Sequence, residues 1–145
     1  MKLTTPLTGL LIGAATIAIA HTGVEDEEVL ARMDDMKAMG DATKTLGLMA
    51  KGEAPFDAKT ARSAATRIAE EAARTPALFE SAATDPQSEA LPAIWDNWAD
   101  FTEKADALET VASGLATDID SIDTLRAGMG DLGQACKACH SEYRE

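Results

Sequence analysis

The chain has 145 residues and a formal net charge of −12 at pH 7, with 25 acidic and 13 basic side chains. Such an acidic surface argues against nucleic acid and anionic lipid as partners and favours association with basic patches on another protein. The length suits one domain. The chain contains only two cysteines and two histidines, so thiol and metal chemistry must be concentrated in few residues.

The N-terminal segment predicts export. A basic start precedes an apolar stretch over residues 7–20, which ends in the small-x-small pattern of signal-peptidase cleavage before His21. The stretch is shorter than the roughly 20 residues that span a bilayer. The alternatives are an uncleaved N-terminal anchor and a buried helix. We expect residues 1–20 to be a cleaved signal peptide and residues 21–145 to form one periplasmic domain without stable membrane insertion.

Apolar residues then recur at four-three spacing, which predicts amphipathic helices rather than strands. The first helix is predicted over residues 26–50. Its apolar stripe comprises Val29, Met33, Met36 and Gly40. Residues 51–55 end it, because glycine favours a C-terminal cap and proline cannot continue a helix.

Asp57 is placed to cap a second helix, which is predicted to stop near Thr75 and Pro76 with Phe79 still in register. Its stripe is small and aliphatic: Ala61, Ala65, Ile68 and Ala72. Residues 80–91 are polar and read as the longest loop.

Pro92 suits the first turn of a third helix, whose stripe is long and regular. This stripe comprises Ile94, Trp98, Phe101, Ala105, Leu108, Ala112 and Leu115. Ser121 or Asp120 then caps a fourth helix. Its stripe includes both cysteines: Leu125, Met129, Leu132, Cys136, Cys139 and Tyr143. Four helices with short connections predict an all-α, antiparallel up-down-up-down four-helix bundle.

Residues 136–140 read Cys-Lys-Ala-Cys-His, the C-x-x-C-H spacing at which c-type haem is attached. Cys136 and Cys139 lie on one side of a helical turn, so each can bond one of the two vinyl groups of the haem. His140 then presents an imidazole to the iron as an axial ligand. The motif therefore predicts one covalently attached haem c near the C-terminus.

Three other interpretations of this motif are weaker. A thiol–disulfide pair shares the C-x-x-C spacing, but it lies at the start of a helix in a βαβ context. A tetrahedral zinc site needs four protein ligands, whereas the motif supplies at most three and His21 is a poor fourth. The last interpretation is two core cysteines beside a chance histidine.

The motif on the last helix of an exported four-helix chain resembles the class II c-type cytochromes. These are cytochrome c′, itself a standard example of the four-helix bundle, and low-spin relatives of the cytochrome c-556 type. The resemblance covers residues 21–145 and includes Arg32, Lys51-Gly52-Glu53, Ile94-Trp95 through Phe101, and Tyr143-Arg144. Class I cytochromes c match poorly, because their C-x-x-C-H motif lies near the N-terminus.

The resemblance also implies a second axial position on the first helix. In this family the distal residue lies four positions after an arginine near the start of that helix, which places Met36 opposite His140. Met36 begins a Met-Lys-x-x-Gly run, and in the low-spin relatives the methionine of this run binds the iron. The residues alone leave two alternatives open: a core methionine that fills space, or an open iron. Arg32 and Arg144 are each one turn from a predicted ligand, so we expect them to pair with haem propionates.

Three functions follow from these residues. The first is an electron-transfer protein with His140–Met36 ligation, an arrangement that raises the haem potential. The second is a protein that binds nitric oxide or other small gases at five-coordinate iron. The third is a thiol–disulfide enzyme. No acid–base pair or nucleophile triad is evident, so no turnover enzyme is predicted. The expected partners are basic redox proteins, and the resemblance implies a homodimer through the first two helices.

Overall fold

A computed structural model describes residues 23–145, so the predicted signal peptide lies outside the described residues. Within this range the chain forms five helices and no strand. They are α1 (Glu27–Lys51), α2 (Ala58–Leu78), α3 (Ala93–Asp96), α4 (Trp98–Asp118) and α5 (Ile122–Tyr143). None of these helices is both long and apolar enough to cross a membrane. The all-α prediction is confirmed.

Side-chain caps begin three of the long helices at the predicted places. Asp26 and Asp57 accept hydrogen bonds from backbone N–H groups in the first turns of α1 and α2. Ser121 caps α5 and forms a reciprocal capping box with Thr124. Gly52 ends α1 in the left-handed conformation at φ 77°, which a residue without Cβ adopts at no steric cost.

Contacts at opposite ends of the molecule establish the antiparallel order. Arg32 near the start of α1 donates from Nε to the Leu78 carbonyl at the end of α2, at 2.8 Å. Arg126 near the start of α5 donates from Nε to the Ala50 carbonyl at the end of α1, at 2.9 Å. The most extensive packing joins α2 to α4. The four long helices thus form the predicted up-down-up-down bundle, and the end that holds Arg32 and Leu78 is called the loop end below.

The predicted end of the second helix was wrong by a few residues. α2 continues through Pro76 to Leu78, because a proline in the last turn removes only one backbone hydrogen bond. Two tertiary interactions favour the extra turn. Phe79 is buried directly after it, and the Leu78 carbonyl accepts from Arg32.

The predicted single third helix was also wrong, since it is interrupted near its start. Asn97 has φ −124° and ψ 45°, outside the helical region, so α3 is one turn that precedes α4. Ile94 and Phe101 are nevertheless both buried in the same cluster. The apolar spacing therefore runs across the break and does not reveal it.

The core consists of two clusters. The larger one is made mainly of alanine, leucine and isoleucine from all four long helices. The smaller one lies at the loop end and is centred on Phe101. Its ring centroid is 5.2 Å from Phe79, 5.6 Å from Trp98 and 5.4 Å from Tyr143, which are favourable aromatic distances. These four residues are called the aromatic cluster, and a large cavity lies beside it.

Candidate functional site

A cavity of about 600 Å³ lies between α1, α4 and α5 at the loop end. It brings together every predicted site residue: Cys136, Cys139, His140, Met36, Arg32 and Arg144. Its volume is within the range of about 300–1,000 Å³ found for small-molecule sites. Segments that are a hundred positions apart in sequence thus face one space.

The α5 wall carries two thiols and an imidazole. Cys136 and Cys139 are half-buried and unpaired, and burial raises the pKa of both thiols. Burial, reinforced by the charge of Arg144, lowers the pKa of His140. This shift favours the neutral imidazole, which is the form that binds a metal.

The thiol environment also separates two interpretations of the motif. Thiol–disulfide enzymes depend on a thiol pKa that is lowered by nearby positive charge or a helix N-terminus. Cys136 and Cys139 instead lie near the C-terminal end of α5, and their pKa values move upward. This chemistry disfavours redox cycling of the pair.

The α1 wall is rich in methionine. Met36 is half-buried and packs against both core clusters, while Met33 and Met39 also line the cavity. Gly40 lies one turn after Met36 on the same wall, and a Cβ added there would meet no atom within 4 Å. A glycine inside a helix costs about 1 kcal/mol relative to alanine. Since no protein neighbour requires it, the open space at Gly40 suits a ligand that lies close to the helix.

The predicted stripe of α1 is the cavity face, and the face packed against the other helices lies beside it. That buried face comprises Val29, Arg32, Asp35, Met39, Ala42, Leu46 and Met49. Hydrophobic periodicity missed it because two of its members are charged. Val29, Arg32 and Met39 belong to the buried face and also line the cavity.

Arg32 is buried, with 3% of its surface exposed. Its guanidinium donates to three carbonyls at 2.8 Å each, those of Leu78, Ser81 and Ala83. It also lies 4.8 Å from the centroid of the Phe79 ring. Arg32 therefore anchors the connection between α2 and α3 to α1, and its pairing with a haem propionate stays a prediction.

Arg144 is tied to the same connection. Its Nε donates to Oε2 of Glu89 at 2.6 Å, and its backbone forms an antiparallel bridge with Ala90. The Leu91 N–H also donates to the Tyr143 carbonyl at 3.0 Å. The pairing of Arg144 with a propionate stays a prediction as well. The sequence alone does not identify Glu89 as the partner of Arg144, because the two residues are 55 positions apart.

Sequence reasoning missed a polar group on the α4 side of the cavity. Lys104 lines the cavity and donates to Asp100 Oδ1 at 2.9 Å, while the Tyr143 hydroxyl donates to the same carboxylate. The bond to Asp100 raises the pKa of Tyr143 to about 12, so this phenol stays neutral. The group joins α4 to the turn of α5 that follows the haem motif.

Comparison with known proteins now decides the family, because the family model described as Cytochrome C' matches residues 27–144. The chain belongs to the cytochrome c′ family. A cytochrome c′ from Rhodopseudomonas palustris is 32% identical over 139 residues, which cover 95% of this chain and 92% of that protein. A cytochrome c-556 from Agrobacterium tumefaciens is 42% identical over 119 residues, covering 79% of this chain and 91% of the relative.

Solved structures of cytochrome c′ agree with the fold. That of the Rhodopseudomonas palustris protein superposes with a TM-score of 0.78 at 32% identity, covering 83% of this chain and 98% of that chain. The cytochrome c′ family carries covalently attached haem c, so haem c is the cofactor of this chain. The cavity fits such a group, since it offers two thiols and a neutral imidazole on one wall and an apolar wall opposite. Relatives named cytochrome c′ and cytochrome c-556 both match, so family membership leaves the second axial position open.

Proposed function

We propose that this chain is a periplasmic mono-haem electron-transfer protein in which His140 and Met36 are the axial ligands. The placement of Met36 carries this assignment. It lies on the α1 wall of the cavity that the haem motif lines from α5, and it begins the Met-Lys-x-x-Gly run. Export rests on the pattern of residues 1–20.

Each residue of the site has a distinct role in this proposal. Cys136 and Cys139 would hold the haem through thioether bonds, and the imidazole of His140 would supply a nitrogen ligand for the iron. The Met36 thioether favours the reduced state and so raises the potential. The haem itself supplies a reversible one-electron change. We expect the aromatic cluster and the methionines of the α1 wall to keep water away from the haem. The surroundings of the iron would then rearrange little when it gains or loses an electron.

A second candidate function is binding of nitric oxide. One structural neighbour, at 30% identity and a TM-score of 0.72, is a nitric oxide complex of a mutant cytochrome c prime from Alcaligenes xylosoxidans. In this chain three methionines, Met33, Met36 and Met39, form an apolar part of the α1 wall of the cavity. If Met36 leaves the iron open, this side offers a dry pocket for a small gas.

Absorption spectra of the purified holoprotein and two methionine variants test the first proposal. We expect low-spin bands in the oxidised and reduced wild type. Met36→Ala should become high-spin, because the substitution removes the thioether proposed as the second ligand. Met33→Ala is the matched control, since it removes a thioether from the same cavity wall and should remain low-spin.

Each alternative has its own spectrum. A wild type that is already high-spin, with a ferrous spectrum that changes on addition of nitric oxide, contradicts the carrier proposal and supports gas binding. An unchanged Met36→Ala spectrum means that Met36 is not a ligand. Absence of covalent haem in a pyridine haemochrome assay would contradict both functions.

A further inference from the structure

The connection between α2 and α3 places a carboxylate beside the haem-binding end of α5. Glu89 accepts from Arg144 Nε at 2.6 Å. The backbone holds the two residues together independently, through the Ala90–Arg144 bridge and a 2.9 Å hydrogen bond from Glu145 N–H to the Glu89 carbonyl. The ion pair therefore occupies a defined position rather than a mobile one.

This ion pair and the proximal imidazole share one space. Arg144 directly follows α5, four positions after His140, and Glu89, Arg144 and His140 all line the cavity. Arg144 is a cation and Glu89 an anion, so their charges act on the imidazole and the iron site in opposite directions.

We infer that Glu89 is a positioning residue for the proximal side of the haem, which holds Arg144 beside His140 and offsets its positive charge at the iron. This rests on the proposed ligation by His140, but it does not depend on Met36. A positive charge near the iron disfavours the oxidised state, and a negative charge favours it. Glu89 and Arg144 therefore set the reduction potential as a balanced pair.

If Glu89 and Arg144 served only to stabilise the fold, their substitution would not change the reduction potential of the folded protein. Glu89 and Arg144 are 59% and 51% exposed in their side chains, and exposed ion pairs contribute little to stability. Removal of either side chain should leave the bundle folded, because the backbone hydrogen bonds of the connection remain. An effect on the potential would thus not arise from unfolding.

Reduction potentials of single variants of the holoprotein test the inference. Glu89→Gln leaves Arg144 uncompensated and should raise the potential, whereas Arg144→Gln leaves Glu89 uncompensated and should lower it. We expect each to change the electron-exchange equilibrium with a reference couple about threefold or more, which is roughly 30 mV at 59 mV per tenfold. Glu80→Gln is the matched control, because it removes the same charge from the same connection. Glu80 lines a separate pocket, together with Glu27 and Glu28. Its substitution should therefore shift the potential less than Glu89→Gln does.

The double variant Glu89→Gln with Arg144→Gln tests the pairing itself. Two independent charges would give opposite shifts that simply add in the double variant. If Glu89 positions Arg144, the shift caused by Glu89→Gln should differ between the wild type and the Arg144→Gln background. Equal shifts in the two backgrounds would overturn the positioning role. Shifts in the same direction, or a Glu89→Gln shift no larger than that of Glu80→Gln, would overturn the inference. The haemochrome and spin-state spectra of each variant are recorded first. A failure of haem attachment or of Met36 ligation is therefore distinguished from a failure of the Glu89 role.

Discussion

At the scale of single residues, Arg32 shows how one side chain serves the site indirectly. Its guanidinium donates to the carbonyl of the last residue of α2 and to two carbonyls of the α2–α3 connection. The same connection carries Glu89 to the cavity. Burial lowers the pKa of Arg32, although nearby Glu28 and Asp26 oppose this. The side chain remains a cation, because the ordinary pKa of a guanidinium is far above neutrality.

We predict that Arg32→Ala lowers the free energy of unfolding by about 3 kcal/mol or more, because hydrogen bonds to a charged group contribute roughly 1.5–3 kcal/mol each. Guanidinium chloride denaturation, followed by far-ultraviolet circular dichroism, measures this loss. Arg126→Ala is the control, since its exposed Nε makes one bond, to the Ala50 carbonyl, and should lose less than about 1 kcal/mol. Equal losses in the two variants would contradict the anchoring role.

At the scale of helices, α1 and α2 are joined by a buried carboxyl pair. Asp35 and Glu71 are 3% and 1% exposed, and Arg74 donates to both of them. The Thr75 hydroxyl donates to Asp35 Oδ2 at 3.3 Å, and Arg67 Nε lies 2.5 Å from Glu71 Oε1. Burial raises the pKa of Asp35 to about 6, and a hydrogen bond that the protonated Asp35 donates to Glu71 acts in the same direction.

This raised pKa predicts a pH-dependent stability. The folded protein holds the Asp35 proton more tightly than the unfolded chain, whose pKa is near the ordinary 3.8. The stabilising contribution is therefore fully present below about pH 3.8 and is lost as the pH rises through about 6. Asp35→Asn should gain stability relative to the wild type as the pH rises across this window.

Thermal unfolding at several pH values between 4 and 7 measures that difference. Asp41→Asn on the same helix is the control, because Lys37 lowers the pKa of Asp41. Its contribution has the opposite sign, being present above the unfolded pKa and lost as the pH falls. Parallel pH profiles for Asp35→Asn and the wild type would show that Asp35 does not titrate in this range.

At the scale of the whole molecule, charge governs encounters with partners. The net charge of −12 produces a long-range field that attracts basic proteins and is screened beyond about 8–10 Å at physiological salt. The proposed redox partner is therefore basic. The homodimer through α1 and α2 stays a prediction.

We predict that electron transfer from the reduced holoprotein to a small basic electron-transfer protein slows as salt rises, because screening weakens their attraction. Stopped-flow rates between about 10 mM and 500 mM sodium chloride span Debye lengths from roughly 30 Å to under 5 Å. Oxidation by anionic ferricyanide is the control and should accelerate instead. A basic partner whose rate is independent of salt would place the electron-transfer surface away from the acidic field.

Much of this protein was predictable from local sequence. Four-three spacing and the caps at Asp57 and Ser121 specify helices, because amphipathic periodicity and capping depend on residues within a few positions of each other. The Cys136 to His140 motif specifies its cofactor in the same way, since two thiols and an imidazole must lie on adjacent turns. Met36 was found through resemblance to a family, and its role as a ligand remains the central prediction.

Tertiary structure alone decided the features that join distant segments. The break at Asn97 leaves apolar spacing intact, so only packing shows it. The same holds for the carbonyls around Arg32 and for the pairing of Glu89 with Arg144, which are 55 positions apart. Hydrogen-bond partners are determined by proximity in space. The sequence of a helix shows which of its faces is apolar, but it does not show which polar group of another element will lie next to that helix. For that reason the sequence by itself determined the bundle and the haem motif, whereas the surroundings proposed to tune the iron emerged only when the chain was folded.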